Sequence, residues 1–134
     1  MFTTRIQPRV SETDGLGHIN HTTIPVWFEA ARKEIFKIVT PDLSFENWHA
    51  VVVNINVDYL HETYFGEEVT IHTWVEKIGN RSFVIGEELY QSNKLCAKGT
   101  ATYVYFNPST RKAETIPKPI REQLENHLQN SAKK

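Results

Sequence analysis

Cysteine, net charge and long apolar runs are all scarce in this chain of 134 residues. The single cysteine, Cys96, excludes an internal disulfide framework and suits a reducing compartment. It lies in an apolar, strand-like run, which fits a buried structural thiol better than a nucleophile. Fifteen Lys and Arg against sixteen Asp and Glu leave a net charge of -1. That balance gives no global electrostatic case for nucleic acid or for a membrane surface. No apolar stretch approaches the ~20 residues that span a bilayer. Met1 to Pro8 lacks the apolar segment of a secretory leader. The expectation is a cytoplasmic protein without nucleic-acid or membrane partners, folded as one domain over residues 1–134. An apolar share of 40% is enough for a sizeable core.

Several catalytic signatures are missing as well. The chain has no Gly-x-Ser-x-Gly elbow, no Gly-x-x-x-x-Gly-Lys phosphate loop and no cysteine–histidine pairing. Asp14-Gly15-Leu16-Gly17 lacks the third glycine and the parallel strand context of a dinucleotide fingerprint. His18 and His21 do not have the spacing of the His-Glu-x-x-His zinc helix, and no cysteine is near, so no metal is expected. Repeats, linkers and low-complexity tracts are also absent.

What is present is a strand, a helix and a run of further strands. Phe2 to Val10 reads as a first strand ending near Pro8. Pro25 to about Val39 reads as one helix, with Phe28, Ala31, Ile35 and Ile38 on one face, Pro25 in its first turn and Thr22 or Thr23 as its cap. Phe45 and Trp48 are expected to fold back as apolar plugs. Four strands follow: His49 to Glu62, Glu67 to Ile78, Ser82 to Gln91 and Leu95 to Phe106. In the first of these, Val51, Val53, Ile55, Val57 and Tyr59 alternate with polar residues. Asn107 to Lys112 is a loop, Pro119 to about Gln129 an amphipathic helix, and Ser131 to Lys134 should fray. The fold class is α+β, an antiparallel sheet of about five strands curled round a central helix, with a C-terminal helix. An uncovered edge and a helix-poor face predict a dimer.

The polar stretch Glu12 to His21, leading into the helix, holds most of the candidate chemistry. Asp14 beside Gly15 has two readings: a turn residue, or a carboxylate near the positive end of a helix. Asn20 is either a capping residue or an amide that orients a carboxylate or a water. His18 suits hydrogen bonding that shapes the loop or touches substrate. Glu29 and Arg32, three apart, can pair with each other, or Glu29 can reach the site.

Val10-x-x-x-Asp14-x-x-Gly17-His18-Ile19-Asn20-His21 followed by Trp27-Phe28-Glu29-Ala30-Ala31-Arg32 resembles the hotdog-fold acyl-CoA thioesterases of the 4-hydroxybenzoyl-CoA thioesterase-like group. It is also similar to the acyl-acyl-carrier-protein thioesterases, which share an Asp…His-x-Asn signature before the same helix. Gly79 to Phe83, Phe106-Asn107 and Ile116-Pro117 extend the likeness over most of the chain. The resemblance implies dimers or tetramers with the site at the dimer interface and Asp14 as general base or nucleophile. The chain departs from the family at Ile24, where a tyrosine is frequent, and at Pro25, where a bulky residue is.

Thioester chemistry suits these residues without a cofactor. Thiols leave readily, with pKa values near ~8.5, so an activated attacker and an oxyanion site are the main requirements. His18 and Asn20 would orient Asp14, the water or the carbonyl. Backbone amides of His21, Thr22 and Thr23 would bind the oxyanion, each such donor being worth ~2.7–4 kcal/mol. Ile24, Glu29 and Tyr59 are the candidates for contact with the acyl group, and Arg81, Ser82 and Lys98 for contact with coenzyme A phosphates. The expected activity is hydrolysis of acyl-CoA. Its rivals are a carrier-protein thioesterase and a non-catalytic acyl-CoA-binding module on the same fold.

Overall fold

The computed structural model of the chain describes residues 1–129, so the fraying expected of Ser131 to Lys134 lies outside the described residues. One antiparallel sheet is built from β1 (Phe2–Ile6), β2 (Ala50–Tyr59), β3 (Val69–Ile78), β4 (Ser82–Gln91) and β5 (Lys94–Asn107). Its spatial order is β1-β3-β4-β5-β2, and a two-residue β6 (Lys112–Ala113) folds back on the end of β5. The last of these returns was expected only as loop. β3, β4 and β5 are joined by tight turns. Ser92 and Asn93, between β4 and β5, both take positive φ (51° and 63°), as a two-residue hairpin turn requires.

Side chains alternate across the sheet, and one face is packed with Val69, Ile71, Val75, Phe83, Ile85, Leu89, Ala97 and Ala101, all buried. Helices α1 (Thr23–Ala30) and α2 (Lys33–Val39) cover this face, and α3 (Lys118–Glu125) adds Leu124 to the core beside it. The single helix expected from Pro25 to Val39 is therefore two. It begins at Thr23, with Pro25 still inside the first turn, and breaks at Ala31–Arg32, where ψ opens to -5° and 0°. No proline or glycine lies at the break. Arg32 there turns inward instead of pairing with Glu29: its Nε donates to Glu87 and its Nη1 to the Tyr103 hydroxyl at 2.9 Å. Arg32 and Glu87 are each 1% exposed. This polar group sits between two apolar clusters, one under α1 (Ile24, Trp27, Phe28, Leu89, Ala97) and one under α2 (Ile35, Val39, Ile85, Phe83, Leu124).

Gly99 on β5 lets the β2 backbone come close, with Phe28 of α1 packed over the same point. A Cβ there would stand 2.5 Å from the Asn56 carbonyl oxygen and 3.4 Å from Phe28 Cε2. Phe28 is fully buried.

β2 is the exposed edge. Val51, Val52, Val53, Ile55 and Tyr59 are each at least 40% exposed. A bulge between Val52 and Asn54 overturns the simple alternation expected here. Val52 opposes the buried Tyr103, and Ile55 opposes the buried Ala101, so both face the helices; Val51 opposes Val104 on the other face. One extra residue is enough to exchange the two sides of the strand. β1 also stops earlier than expected, at Ile6, and Val10–Glu12 forms a short 3-10 turn. Trp48 packs against Phe36 with ring centroids 5.1 Å apart, as a plug should, but Phe45 is 86% exposed.

Candidate active site

The loop after Glu12 is folded by its own hydrogen bonds. The Asp14 amide donates to the His18 carbonyl (2.8 Å), and Thr13 bridges Ile19. Gly15 and Gly17 take φ of +92° and +88°, the left-handed region that glycine enters without strain. The Leu16 amide donates to Asp14 Oδ1 at 2.9 Å. One carboxylate oxygen of Asp14 thus holds the turn, and Oδ2 is left for other work. Both readings of the aspartate, turn residue and reactive acid, are compatible with this division.

Asn20 organises the start of α1. Its Oδ1 accepts from the Thr22 amide (3.0 Å) and the Thr22 hydroxyl (2.9 Å), and its carbonyl accepts from the Thr23 amide (2.9 Å). The threonines expected to cap the helix are themselves held by Asn20; the Thr22 side chain caps nothing. Of the three amides considered for an oxyanion, those of Thr22 and Thr23 are engaged, and that of His21 has no partner among the described residues.

Glu12 anchors loop and helix together. Its carboxylate accepts from the Trp27 indole (2.8 Å) and the Arg9 amide (2.7 Å), and its carbonyl accepts from the Asn20 amide (2.9 Å). Burial would raise its pKa, but the hydrogen bonds from Arg9 and Trp27 together with the Arg9 charge outweigh that and hold it below the usual carboxylate value.

The opposite wall is the segment after β2. Ile19 N–H donates to the Thr63 carbonyl (2.7 Å), Phe65 N–H to the Gly17 carbonyl (2.8 Å), and His18 forms a bridge with Tyr64. The rings of His18 and Tyr64 meet edge to face at 5.1 Å. Tyr59, at the end of β2, donates its hydroxyl to the His21 carbonyl at 2.7 Å. Burial pushes this phenol above its usual pKa, which keeps it a donor.

Between these walls lies a cleft of about 550 Å³, within the ordinary size of a small-ligand site. Asp14, Asn20, His21, Ile24 and Tyr59 line it. Its buried floor is Ile19, Ile24, Thr63, Cys96 and Ala97. His18 stands behind Asp14, with Nδ1 3.7 Å from Asp14 Oδ2 and 3.7 Å from Glu62 Oε2. Glu29 is exposed on α1 and does not line the cleft. Arg81 and Ser82 sit at the other end of the sheet. Ser82 pairs with Val104, whereas Tyr59 pairs with Ala97, a separation of about 23 Å along β5 at roughly 3.3 Å per residue. Glu12, His61, Glu62 and Thr63 belong to the site region and were not singled out from the sequence. Nothing in their local spacing marks them, because the contact between loop and wall joins residues some 45 positions apart. Among the described residues, no three His, Cys, Asp or Glu side chains converge on a point that could hold a metal ion.

Similar proteins share this arrangement of strands and helices. The profile of the thioesterase-like superfamily matches residues 8–124. YneP of Bacillus subtilis strain 168, named only provisionally as an acyl-CoA thioesterase, is 29% identical over 111 residues, covering 80% of each chain. A solved structure of a predicted thioesterase from Bacillus stearothermophilus is 54% identical, covers 96% of this chain and 97% of its own, and superposes with a TM-score of 0.94. A thioesterase from Thermus thermophilus, solved with coenzyme A and zinc, is 28% identical, covers 92% and 96%, and has a TM-score of 0.83. The chain belongs to the thioesterase-like superfamily and is a thioester hydrolase of the hotdog fold.

Proposed function

We propose that the chain hydrolyses acyl-CoA thioesters to the free acid and coenzyme A, with Asp14 as the reactive acid. The observation that carries this reading is the division of labour in the Asp14 carboxylate: Oδ1 is fixed by the Leu16 amide, at the wall of a cleft of about 550 Å³ that starts at a helix N-terminus. Coenzyme A bound to the Thermus relative supports the same carrier here. Either a water placed against Asp14 loses its proton to Oδ2 as its oxygen attacks the acyl carbon, or Oδ2 attacks directly and water then opens the anhydride. In both routes the carbon–sulfur bond breaks and the thiolate leaves with the electron pair. His21 N–H and the positive end of α1 would meet the oxyanion, joined by the Thr22 and Thr23 amides only if Asn20 releases them. Asn20 would then hold the helix start in place, and His18 would orient the water or the carbonyl beside Asp14.

The full site on this reading spans two copies. β2 is an unpaired edge with apolar side chains exposed on both faces. Pairing it antiparallel with its twin sets the Val51 end of one copy beside the Tyr59 end of the other. Arg81 and Ser82 of the second copy, which share the Val51 end, then approach the cleft of the first, where they would meet the phosphates of coenzyme A. Ile24, Tyr59 and the exposed Glu29 would face the acyl group at that junction. The cytoplasmic assignment is supported by the one thiol, Cys96, which is buried and unpaired with another cysteine.

Thiol release from a panel of acyl-CoAs, with a carrier-protein thioester alongside, tests the reading. Asp14→Ala should lower kcat by at least about 100-fold, the lower range for losing a general base. Hydrolysis of the carrier-protein thioester alone would move the assignment to that substrate. A wild-type protein that releases no thiol would leave only an acyl-CoA-binding module.

A further inference from the structure

Glu62 is the one acidic residue of the opposite wall that lines the same cleft as Asp14, among the described residues. Its side chain is 62% exposed, and it follows β2 on a segment tied to the Asp14 loop through Thr63 and Phe65. His18 Nδ1 lies 3.7 Å from each of the two carboxylates. Both distances are longer than a hydrogen bond, so the ring stands between the two carboxylates and is bonded to neither. Nδ1 can donate one hydrogen at most, and the two acceptors are equidistant from it. Asp14 Oδ1 is already taken by the Leu16 amide. If His18 also donates to Oδ2, both oxygens of Asp14 are bound, and the acid is a poorer base and a poorer nucleophile.

We propose that Glu62 is a positioning residue that draws the His18 imidazole off the reactive oxygen of Asp14, leaving Oδ2 open to water or substrate. The proposal rests on the hydrolytic reading of the cleft. It makes the histidine a two-position latch: on Asp14 the acid is masked, on Glu62 it is free. The backbone bonds from Ile19 to Thr63 and from Phe65 to Gly17 tie the two segments together, so the ring stays between the two carboxylates.

A double-mutant cycle decides it. Glu62→Gln should lower kcat about tenfold with KM unchanged, a coupling of ordinary size for groups in contact. The same substitution in a His18→Ala protein should change kcat by less than about twofold, because no imidazole is left to redirect. Glu62→Asp, which keeps the charge on a shorter arm, should recover part of the loss. Equal losses with and without His18, no loss in the wild-type background, or a change confined to KM would each overturn the proposal. Wild type and Asp14→Ala are assayed beside these variants, so a failure of the hydrolytic reading shows as absent or Asp14-independent thiol release. In that event the ring signals of His18 in NMR spectra remain the deciding measurement. They should move on Glu62→Gln, and unchanged signals would refute the contact.

Discussion

Glu12 shows how one side chain can set the geometry of a site it does not enter. It joins the 3-10 turn, the start of the Asn20 cap and the Trp27 face of α1. Its carboxyl is held below its usual pKa, so the folded state favours the ionised form. The stabilisation this brings is complete above the unfolded pKa and is lost as pH falls through the folded one. Thermal unfolding of wild type and Glu12→Gln, measured from about pH 7 to about pH 3, should show the largest difference at neutral pH and converging curves in acid. A difference that stays constant with pH would mean that the indole and amide contacts act without the charge. Asp14 and Asn20 were visible as candidates because an acid, two glycines and an amide crowd into one short polar stretch. Glu12 was not, since its role depends on an indole fifteen positions away.

Among the elements, the helix break and the bulge in β2 carry the main departures from simple periodicity. β4 runs from Ser82 to Gln91 as its alternation suggests, bounded by two turns. Periodicity reports a residue's own neighbours, and here those neighbours suffice. The break at Ala31–Arg32 answers to Glu87 and Tyr103, residues on distant strands, and no local pattern encodes it. Burying this pair has a cost that burial itself makes visible: Glu87 is pushed above its usual pKa by desolvation, with Arg32 pulling the other way. Arg32 Nη2, Glu87 Oε2 and the hydroxyl of nearby Thr73 have no hydrogen-bond partner among the described residues. Removing one partner strands the other, so Arg32→Met should cost about 3–5 kcal/mol in denaturant unfolding. Arg32→Met with Glu87→Leu should be more stable than the single variant. A double variant less stable than wild type would mean that the pair contributes net stability and not only the alignment of the two helices.

At the scale of the whole molecule, β2 decides what the protein can become. A strand with Val52, Val53 and Ile55 each at least 45% exposed at a sheet edge is poorly suited to water. Ile55→Lys should convert a dimer to a monomer in sedimentation velocity, and thiol release should fall with it. A monomeric wild type, or full activity in a monomeric variant, would place the whole site within one copy. That an edge strand would be left open was legible from the sheet-and-helix order of the chain, but not that β2 would be that strand. Which side chains it presents was not, because the bulge reverses them part-way along.

The other edge of the sheet is finished differently. β1 has only five residues, and beyond its Phe2 end the chain after α3 takes over: the Val75 amide donates to the His127 carbonyl (2.9 Å) and the Gln129 amide donates to the Val75 carbonyl (2.7 Å). Phe2 and His127 pack ring against ring, with centroids 4.5 Å apart, at the seam. A sheet with two long open borders can add copies without end, like tiles laid in a row. With one border short and closed off in part by the protein's own tail, joining through β2 consumes the one long open border. On the proposed pairing through β2, growth by strand addition would be self-terminating, and the short opposite border would act as the stop that guards against fibres.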